Sequence, residues 1–295
     1  MRIGLLGLGL IGGSVARALR ASPGRGGSEA WSVTAWTPSG AGPAAALAEG
    51  VIDHVASSPE TAIDGVDLVI LAGPAPDCLA QLDELAGSWH GLLAPDAVIT
   101  DVASTKEAIV LRAMALGLRF VGGHPMAGRE SSGYAASSAD LFIDRPWVVV
   151  PTADTAAVER VERLALACGA RPVRLGAAAH DRAVAGISHL PLLVAVALVE
   201  AVAGAGSGGA APDWSTAAEL AASGWRDTTR LARGDPTMGA GIVSTNAPAI
   251  ADRVRELIAA LDDWLVELER PGGPDPGDVA QRLRDARDRL EATPS

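Results

Sequence analysis

The chain lacks most of what would mark an extracellular, nucleic-acid-binding or membrane protein. It has two cysteines, Cys78 and Cys168, far apart and set in apolar stretches. That excludes a disulfide framework and leaves two buried, reduced thiols as the expectation; no bound metal is expected. Positive charge is scarce: 24 Lys and Arg stand against 35 Asp and Glu, for a formal net charge of −11. This balance argues against nucleic acid and against an anionic membrane surface as partners. Lysine is almost missing; Lys106 is the single one, and arginine carries the rest. No charged segment with an apolar run behind it precedes the first strand, so no cleaved leader is expected. The longest apolar run, residues 190–199, is too short to span a bilayer. Together these absences predict a cytoplasmic protein.

What is present is an apolar chain with a nucleotide signature. Of 295 residues, 48% are hydrophobic and 20% charged, enough for a large core in one or two domains. An apolar run over residues 3–6 leads into Gly7-x-Gly9-x-x-Gly12 and then a helical run over 15–19. Strand, glycine turn and helix in that order form the dinucleotide fingerprint. Gly7 lets the chain turn, Gly9 leaves room for a pyrophosphate on the backbone, and Gly12 lets the helix pack close to the strand. Leu10 and Ile11 then offer backbone N–H groups at the positive end of that helix. The residue closing the second strand, 32–36, should meet the adenosine ribose. An acid there binds the 2′-hydroxyl of NAD and repels the 2′-phosphate of NADP. Here that residue is Thr37, which predicts relaxed use of NAD and NADP. An apolar strand over 66–72 ends in Gly73-Pro74, at the carboxyl edge where ligands bind in such sheets.

Strands over 97–101, 120–125, 147–150 and 170–173 alternate with helical stretches, which implies a parallel sheet covered on both faces. Beyond residue 176 only helical periodicity remains, over 180–203, 214–233, 237–269 and 275–290. Pro248 is placed to start or kink a helix. The reading is an α/β Rossmann-type N-terminal domain, residues 1–175, followed by an all-α domain, residues 176–295. The apolar helix surface of the second half suits it to dimerisation.

Three further clusters combine reactive groups with special backbone residues: Asp101-x-x-Ser104-x-Lys106-Glu107; Gly122-Gly123-His124-Pro125-Met126-Ala127-Gly128-Arg129-Glu130; and His180-Asp181-Arg182 with Ser188-His189-Leu190-Pro191, joined later by Asp227-Thr228-Thr229-Arg230. His124, with an ordinary imidazole pKa near 6.5, suits a general base. Ser104 also reads as the N-cap of a helix over 105–115, with Glu107 in the capping-box position. Lys106 is either a group near the site or a solvated helix residue. Asp227 and Arg230 are also spaced as a surface ion pair.

With the GLGLIGGS start, the D-x-x-S-x-K, GGHPMAG, HD…SHLP and D-x-T-R segments in this order, the chain resembles the prephenate (or arogenate) dehydrogenases of tyrosine biosynthesis. The resemblance covers almost the whole chain. It implies hydride transfer from a cyclohexadienol to NAD or NADP with loss of CO₂; the homodimer is expected from the apolar helix surface. It implies His124 as catalytic base and Ser104 as its hydrogen-bonding partner. Arg230 would hold a substrate carboxylate, His189 would face the substrate, and Glu130 and Asp227 would join a charged network at the mouth. Leu192 stands where the family often has a second histidine. A β-hydroxyacid dehydrogenase or imine reductase is the rival enzyme class; those rely on a lysine in the helical domain, and Lys106 lies in the first. A nucleotide-sensing protein without catalysis is the other rival, and would not require Ser104, His124 and Arg230 together.

Overall fold

The computed structural model describes residues 1–21, 30–129, 131–204, 209 and 211–293. Six parallel strands form its central sheet: β1 (Arg2–Leu6), β2 (Ser32–Trp36), β3 (His54–Val55), β4 (Leu68–Leu71), β5 (Val98–Asp101) and β6 (Phe120–Val121). Their order is β3-β2-β1-β4-β5-β6. Ile3 pairs with Val33 on one side and Leu68 on the other. The chain therefore reverses its direction of travel across the sheet between β1 and β4, the switch point beside which doubly wound sheets bind ligands. Every residue of β4 is buried, as a strand with both faces covered requires. One apolar layer contains Val15, Leu19, Phe142, Trp147 and Val161; the other contains Leu82, Trp89, Ile109 and Phe120. Cys78 and Cys168 are buried and free.

The helix after the fingerprint, α1 (Leu10–Ala21), starts well before the expected run over 15–19. Its first turns are masked in the sequence by Gly12 and Gly13, residues unfavourable in helices unless something must come close. Something does. A Cβ on Gly12 would lie 2.2 Å from the Gly7 carbonyl oxygen, and one on Gly13 would lie 2.9 Å from Tyr134 and Ser137. Tyr134 stacks under the Arg17 guanidinium at 4.5 Å and donates to Glu49, which also pairs with Arg17. The segment 134–138 is thus stapled onto α1.

The remaining strands, β7 (Gly123–Pro125), β8 (Pro146–Val149) and β9 (Arg171–Arg174), form a separate three-stranded sheet. β8 and β9 are parallel, as expected, but β7 runs antiparallel to β8. The expectation of one continuous parallel sheet is corrected here. β6 and β7 are separated by Gly122 alone, so a strand that reads as continuous bends out of the main sheet. Gly123 fits because its missing Cβ would lie 2.6 Å from the Asp101 carbonyl oxygen.

The helices α2 (Ala41–Ala48), α3 (Pro59–Ile63), α4 (Ala75–Ala86), α5 (Glu107–Ala115) and α6 (Thr155–Ala167) connect the strands. Beyond them α7 (Ala177–Val184) passes through a π-helical turn, Ala185–His189, into α8 (Leu190–Ala203). Pro191 has no N–H to donate and its ring would strike a carbonyl four residues back; the widened turn relieves both. The continuous helix Ala177–Ala203 is long and apolar enough, by length and composition, to cross a membrane. That corrects the reading of residues 190–199 alone as too short. The expected helix over 214–233 is divided into α9 (Trp214–Glu219), α10 (Ser223–Thr228) and a 3₁₀ turn, Arg230–Arg233. Thr228 and Thr229 turn their hydroxyls back onto the Gly224 and Trp225 carbonyls and so end α10. The expected helix over 237–269 is α11 (Pro236–Thr245) and α12 (Ala247–Leu268), broken at Asn246 with Pro248 in the first turn of the second. α13 (Pro276–Glu291) follows.

By packing, the chain divides into two compact units, Met1–Ile250 and Ala251–Ser295. In the second, Arg282 of α13 lies 4.1 Å over the Trp264 ring and donates to the Ala260 carbonyl.

The tightest backbone approach yields a test. Gly12→Ala forces a methyl group against a carbonyl that cannot retreat, a kind of overpacking that costs about 1–3 kcal/mol. Thermal unfolding should show Tm lowered by ~3–10 °C. An unchanged Tm would contradict the contact.

Candidate active site

All parallel strands of the main sheet end on one edge, so the segments that follow β1, β4, β5 and β6 gather there. After β1 comes the fingerprint. Gly7 has a φ of 109°, and its amide donates to the Trp36 carbonyl at 2.9 Å. That bond holds the end of β2, and hence Thr37, beside the turn. A Cβ on Gly9 would meet nothing within 4 Å, so this backbone faces open space in front of the first turn of α1, where Leu10 and Ile11 lie. An exposed glycine backbone at the positive end of a twelve-residue helix fits a dinucleotide pyrophosphate. Gly73 and Pro74 follow β4 on the same edge. The Thr37 hydroxyl oxygen accepts from the Gly40 amide, which leaves its hydrogen free to donate outward. Glu130 lies outside the described residues.

His124 stands in the middle of β7, half-buried. Its Nδ1 meets His180 Nε2 at 2.8 Å, the rings edge to face with centroids 5.0 Å apart. His180 Nδ1 in turn meets Asp181 Oδ1 at 2.7 Å. Asp181 also accepts the backbone N–H of Lys106 on Oδ1 and of Glu107 on Oδ2, both at 2.8 Å. A carboxylate from α7 therefore caps α5. The expected cap by Ser104 with a Glu107 capping box does not form; α5 begins after Lys106 with no side-chain cap of its own. Ser104 sits half-buried between β5 and α5, and its hydroxyl makes no hydrogen bond among the described residues.

Lys106 is fully buried, so its reading as a solvated helix residue is overturned. Its ammonium pairs with the Asp101 carboxylate, which also accepts the amides of Ala103 and Gly123. This pair fixes the backbone that carries His124. Burial pushes the Asp101 carboxyl up, and Lys106 and the two amides pull against it.

His189, at the end of the π turn, is 1% exposed. Its Nδ1 lies 3.1 Å from Asn246 Nδ2, which donates to the Asp181 carbonyl at 2.9 Å. His189 Nε2 is buried and has no hydrogen-bond partner among the described residues. A buried polar atom without a partner is costly, so one is expected from a ligand. Burial, with His180 nearby, lowers the His189 pKa to about 4 although Asp181 pulls the other way. Burial, then His180, Lys106 and His189, hold His124 well below the ordinary imidazole range. Asp181 is held below the usual carboxylate range: hydrogen bonds from His180, Glu107 and Lys106 outweigh its burial.

Arg230 opens the 3₁₀ turn that packs against α8, the helix entered through His189. Asp227 is exposed on α10. Leu192, where a second histidine was expected by resemblance, faces Gly239 of α11, 3.7 Å from the position a Cβ would take. His180, Asp181 and Asn246 were given no role by the sequence reading. The first two were visible as a motif, but their partner lies 56 residues away. Asn246 had only one signal, a polar residue beside Ala-Pro in an apolar stretch.

Comparison with known proteins identifies relatives of this chain. Residues 16–174 match the family model for the prephenate dehydrogenase nucleotide-binding domain, and residues 176–271 match that for the prephenate dehydrogenase dimerization domain. The prephenate dehydrogenase of Bacillus subtilis is 34% identical over 272 residues, covering 90% of this chain and 68% of the relative. A prephenate dehydrogenase from Aquifex aeolicus, solved with hydroxyphenyl propionate and NAD+, superposes with a TM-score of 0.84 at 25% identity, covering 99% of this chain and 98% of that one. The arogenate dehydrogenase of Synechocystis does so with a TM-score of 0.75 at 30% identity, covering 98% and 100%. The chain belongs to the prephenate dehydrogenase family of NAD-dependent oxidoreductases.

Proposed function

We propose that this chain oxidises prephenate to 4-hydroxyphenylpyruvate, with loss of the ring carboxylate as CO₂, in tyrosine biosynthesis. The observation that carries the assignment is the half-buried imidazole of His124, backed by buried His180 and Asp181, on the strand that follows β6 beyond the sheet edge where the open glycine cradle lies. When bound, the nicotinamide cofactor accepts the hydride. The chain's own residues do the rest. Gly7, Gly9 and Gly12 with the amides of Leu10 and Ile11 would hold the pyrophosphate, with Gly73 and Pro74 lining the same edge. His124 takes the proton of the substrate hydroxyl as hydride departs. The unspent Ser104 hydroxyl orients that hydroxyl group. Arg230 pairs with a substrate carboxylate, for which a guanidinium fork is suited. His189 donates Nε2–H to a substrate oxygen. Asp227 and Glu130 complete a charged rim. Aromatisation of the ring supplies the driving force.

In this reading residues 1–175 serve the cofactor, and residues 176–295 complete the substrate site and form a cytoplasmic homodimer. The apolar surface of α8, half-covered within the chain, favours a second copy over a bilayer, because the same helix run carries buried His180, Asp181 and His189. Arogenate is the second reading, favoured by Leu192 where a histidine was expected. Comparing kcat/KM for the two substrates decides between them.

His124→Asn should lower kcat by roughly 10²–10⁴-fold while NAD binding persists. A near-normal kcat would remove His124 from the mechanism. The pH profile follows from the lowered pKa. The base works above its folded-state pKa, so activity should survive below pH 6.5 and fail only well beneath it. Stability runs the same way: the unfolded chain binds protons near pH 6.5 that the folded His124 and His189 refuse. Stability is therefore full above that pH and falls as pH drops from about 6.5 toward 4. Urea midpoints at pH 7.5 and 5 check the sign; a higher midpoint at pH 5 would contradict it.

Cofactor choice rests on Thr37. It offers a hydroxyl and no repulsion, so NAD and NADP should both be used, with kcat/KM within about two orders of magnitude. Thr37→Asp should shift the ratio toward NAD. An unmoved ratio would mean that Thr37 is not beside the ribose.

A further inference from the structure

We propose that Asp181 sets the two site histidines in opposite tautomers: His124 with Nδ1–H and a bare Nε2 that accepts a proton, His189 with a bare Nδ1 and an Nε2–H that donates. The inference deepens the assignment of His124 as the base and rests on it. It follows from the direction in which each hydrogen bond must run.

The first chain begins at the carboxylate. Asp181 Oδ1 and Oδ2 each accept a backbone N–H from the start of α5, and an ionised carboxylate has no hydrogen to give. The 2.7 Å contact to His180 must therefore be a donation from His180 Nδ1–H. In the neutral ring that leaves His180 Nε2 as an acceptor. The 2.8 Å contact between His180 Nε2 and His124 Nδ1 then needs its hydrogen on His124. Neutral His124 has one ring hydrogen, so Nε2 is left with a lone pair. As His124 gains a proton, the imidazolium keeps its Nδ1–H on His180, and the negative Asp181 behind His180 stabilises the charge that forms, much as a buried aspartate does behind a single histidine. His180 and Asp181 act through His124 and are positioning residues. Both are 1% exposed, so water does not compete for these bonds.

The second chain begins at the backbone of the same residue. The Asp181 carbonyl can only accept, so the atom of Asn246 facing it is the amide nitrogen. The other hydrogen of that nitrogen is directed at His189 Nδ1, 3.1 Å away, which must accept. Neutral His189 then carries its hydrogen on Nε2, the buried atom with no partner among the described residues. A single residue thus presents a proton acceptor on β7 and a hydrogen-bond donor on the helix run of α7 and α8. A hydroxyl that gives up its proton suits the first; an oxygen that carries negative charge suits the second.

Long-range ¹H–¹⁵N correlation spectra of the ¹⁵N-histidine-labelled full chain, with NAD bound at pH 7.5, read each ring nitrogen as protonated or bare. The five histidines are assigned by single substitution. His124 should show Nδ1 protonated and Nε2 bare, and His189 the reverse. Protonated Nε2 on His124, or bare Nε2 on His189, would overturn the proposal. His180→Leu keeps the cap of α5 but removes the acceptor for His124. It should let Nε2–H appear on His124, leave His189 unchanged, and lower kcat roughly 10–10³-fold with little change in KM. An unaltered His124 spectrum or a kcat within about threefold of the wild type would also overturn it. If His180→Leu does not fold, the wild-type spectrum alone decides. These outcomes are separate from the base assignment: a His124→Asn enzyme with normal kcat would sink that role whatever tautomers the spectrum shows.

Discussion

The structure depends most on the hydrogen bonds of one buried carboxylate. Asp181 is on α7, yet it terminates α5, aligns His180 and, through its own carbonyl, fixes Asn246. Hydrogen bonds to a charged group contribute about 1.5–3 kcal/mol each, and a buried charge stripped of them costs more. Asp181 accepts three through its side chain, and so it fastens the first helix of the helical half to the nucleotide-binding sheet. The consequence is mechanical as much as electrostatic. His124 comes from a strand and His189 from a helix, and their relative placement is set by this one node rather than by side-chain packing alone. A site assembled from rigid elements and supported from behind holds its geometry better than one built on loops.

A second buried charge, the Lys106–Asp101 pair, does related work one layer down. Asp101 gathers the amides of Ala103 and Gly123, the residues that lead toward Ser104 and His124. Buried ion pairs are weak evidence for stability, since desolvation offsets most of the attraction. Here the pair has a clearer use in fixing where two adjacent backbone segments end. The only lysine of the chain is therefore explained by a position inside the protein, with no need for it to touch substrate.

The sequence made legible those features that have one backbone solution. The three glycines of the fingerprint behave as their spacing implied: one turns with positive φ, one faces open space, and one admits a carbonyl at contact distance. The helical second half follows from local rules too, but the π turn before Pro191 is not anticipated by them, and the stretch reads as one uninterrupted helix. What stayed hidden was non-local. β7 differs from a continuation of β6 only by Gly122, so no period could tell a parallel strand from an antiparallel one. Ser104 and Glu107 had the spacing of a capping box, and a stronger acceptor from a helix some 75 residues on displaced it. His180 and Asn246 acquire their meaning only when the chain brings them to His124 and His189.

The central claim is that a base at His124 and a cofactor on the glycine cradle together remove hydride and carboxylate from one substrate. The most direct measurement mixes the purified chain with prephenate and NAD, and follows absorbance at 340 nm alongside released CO₂. The account predicts that reduced cofactor and CO₂ form one for one. Reduced cofactor without CO₂, or neither product, would contradict it.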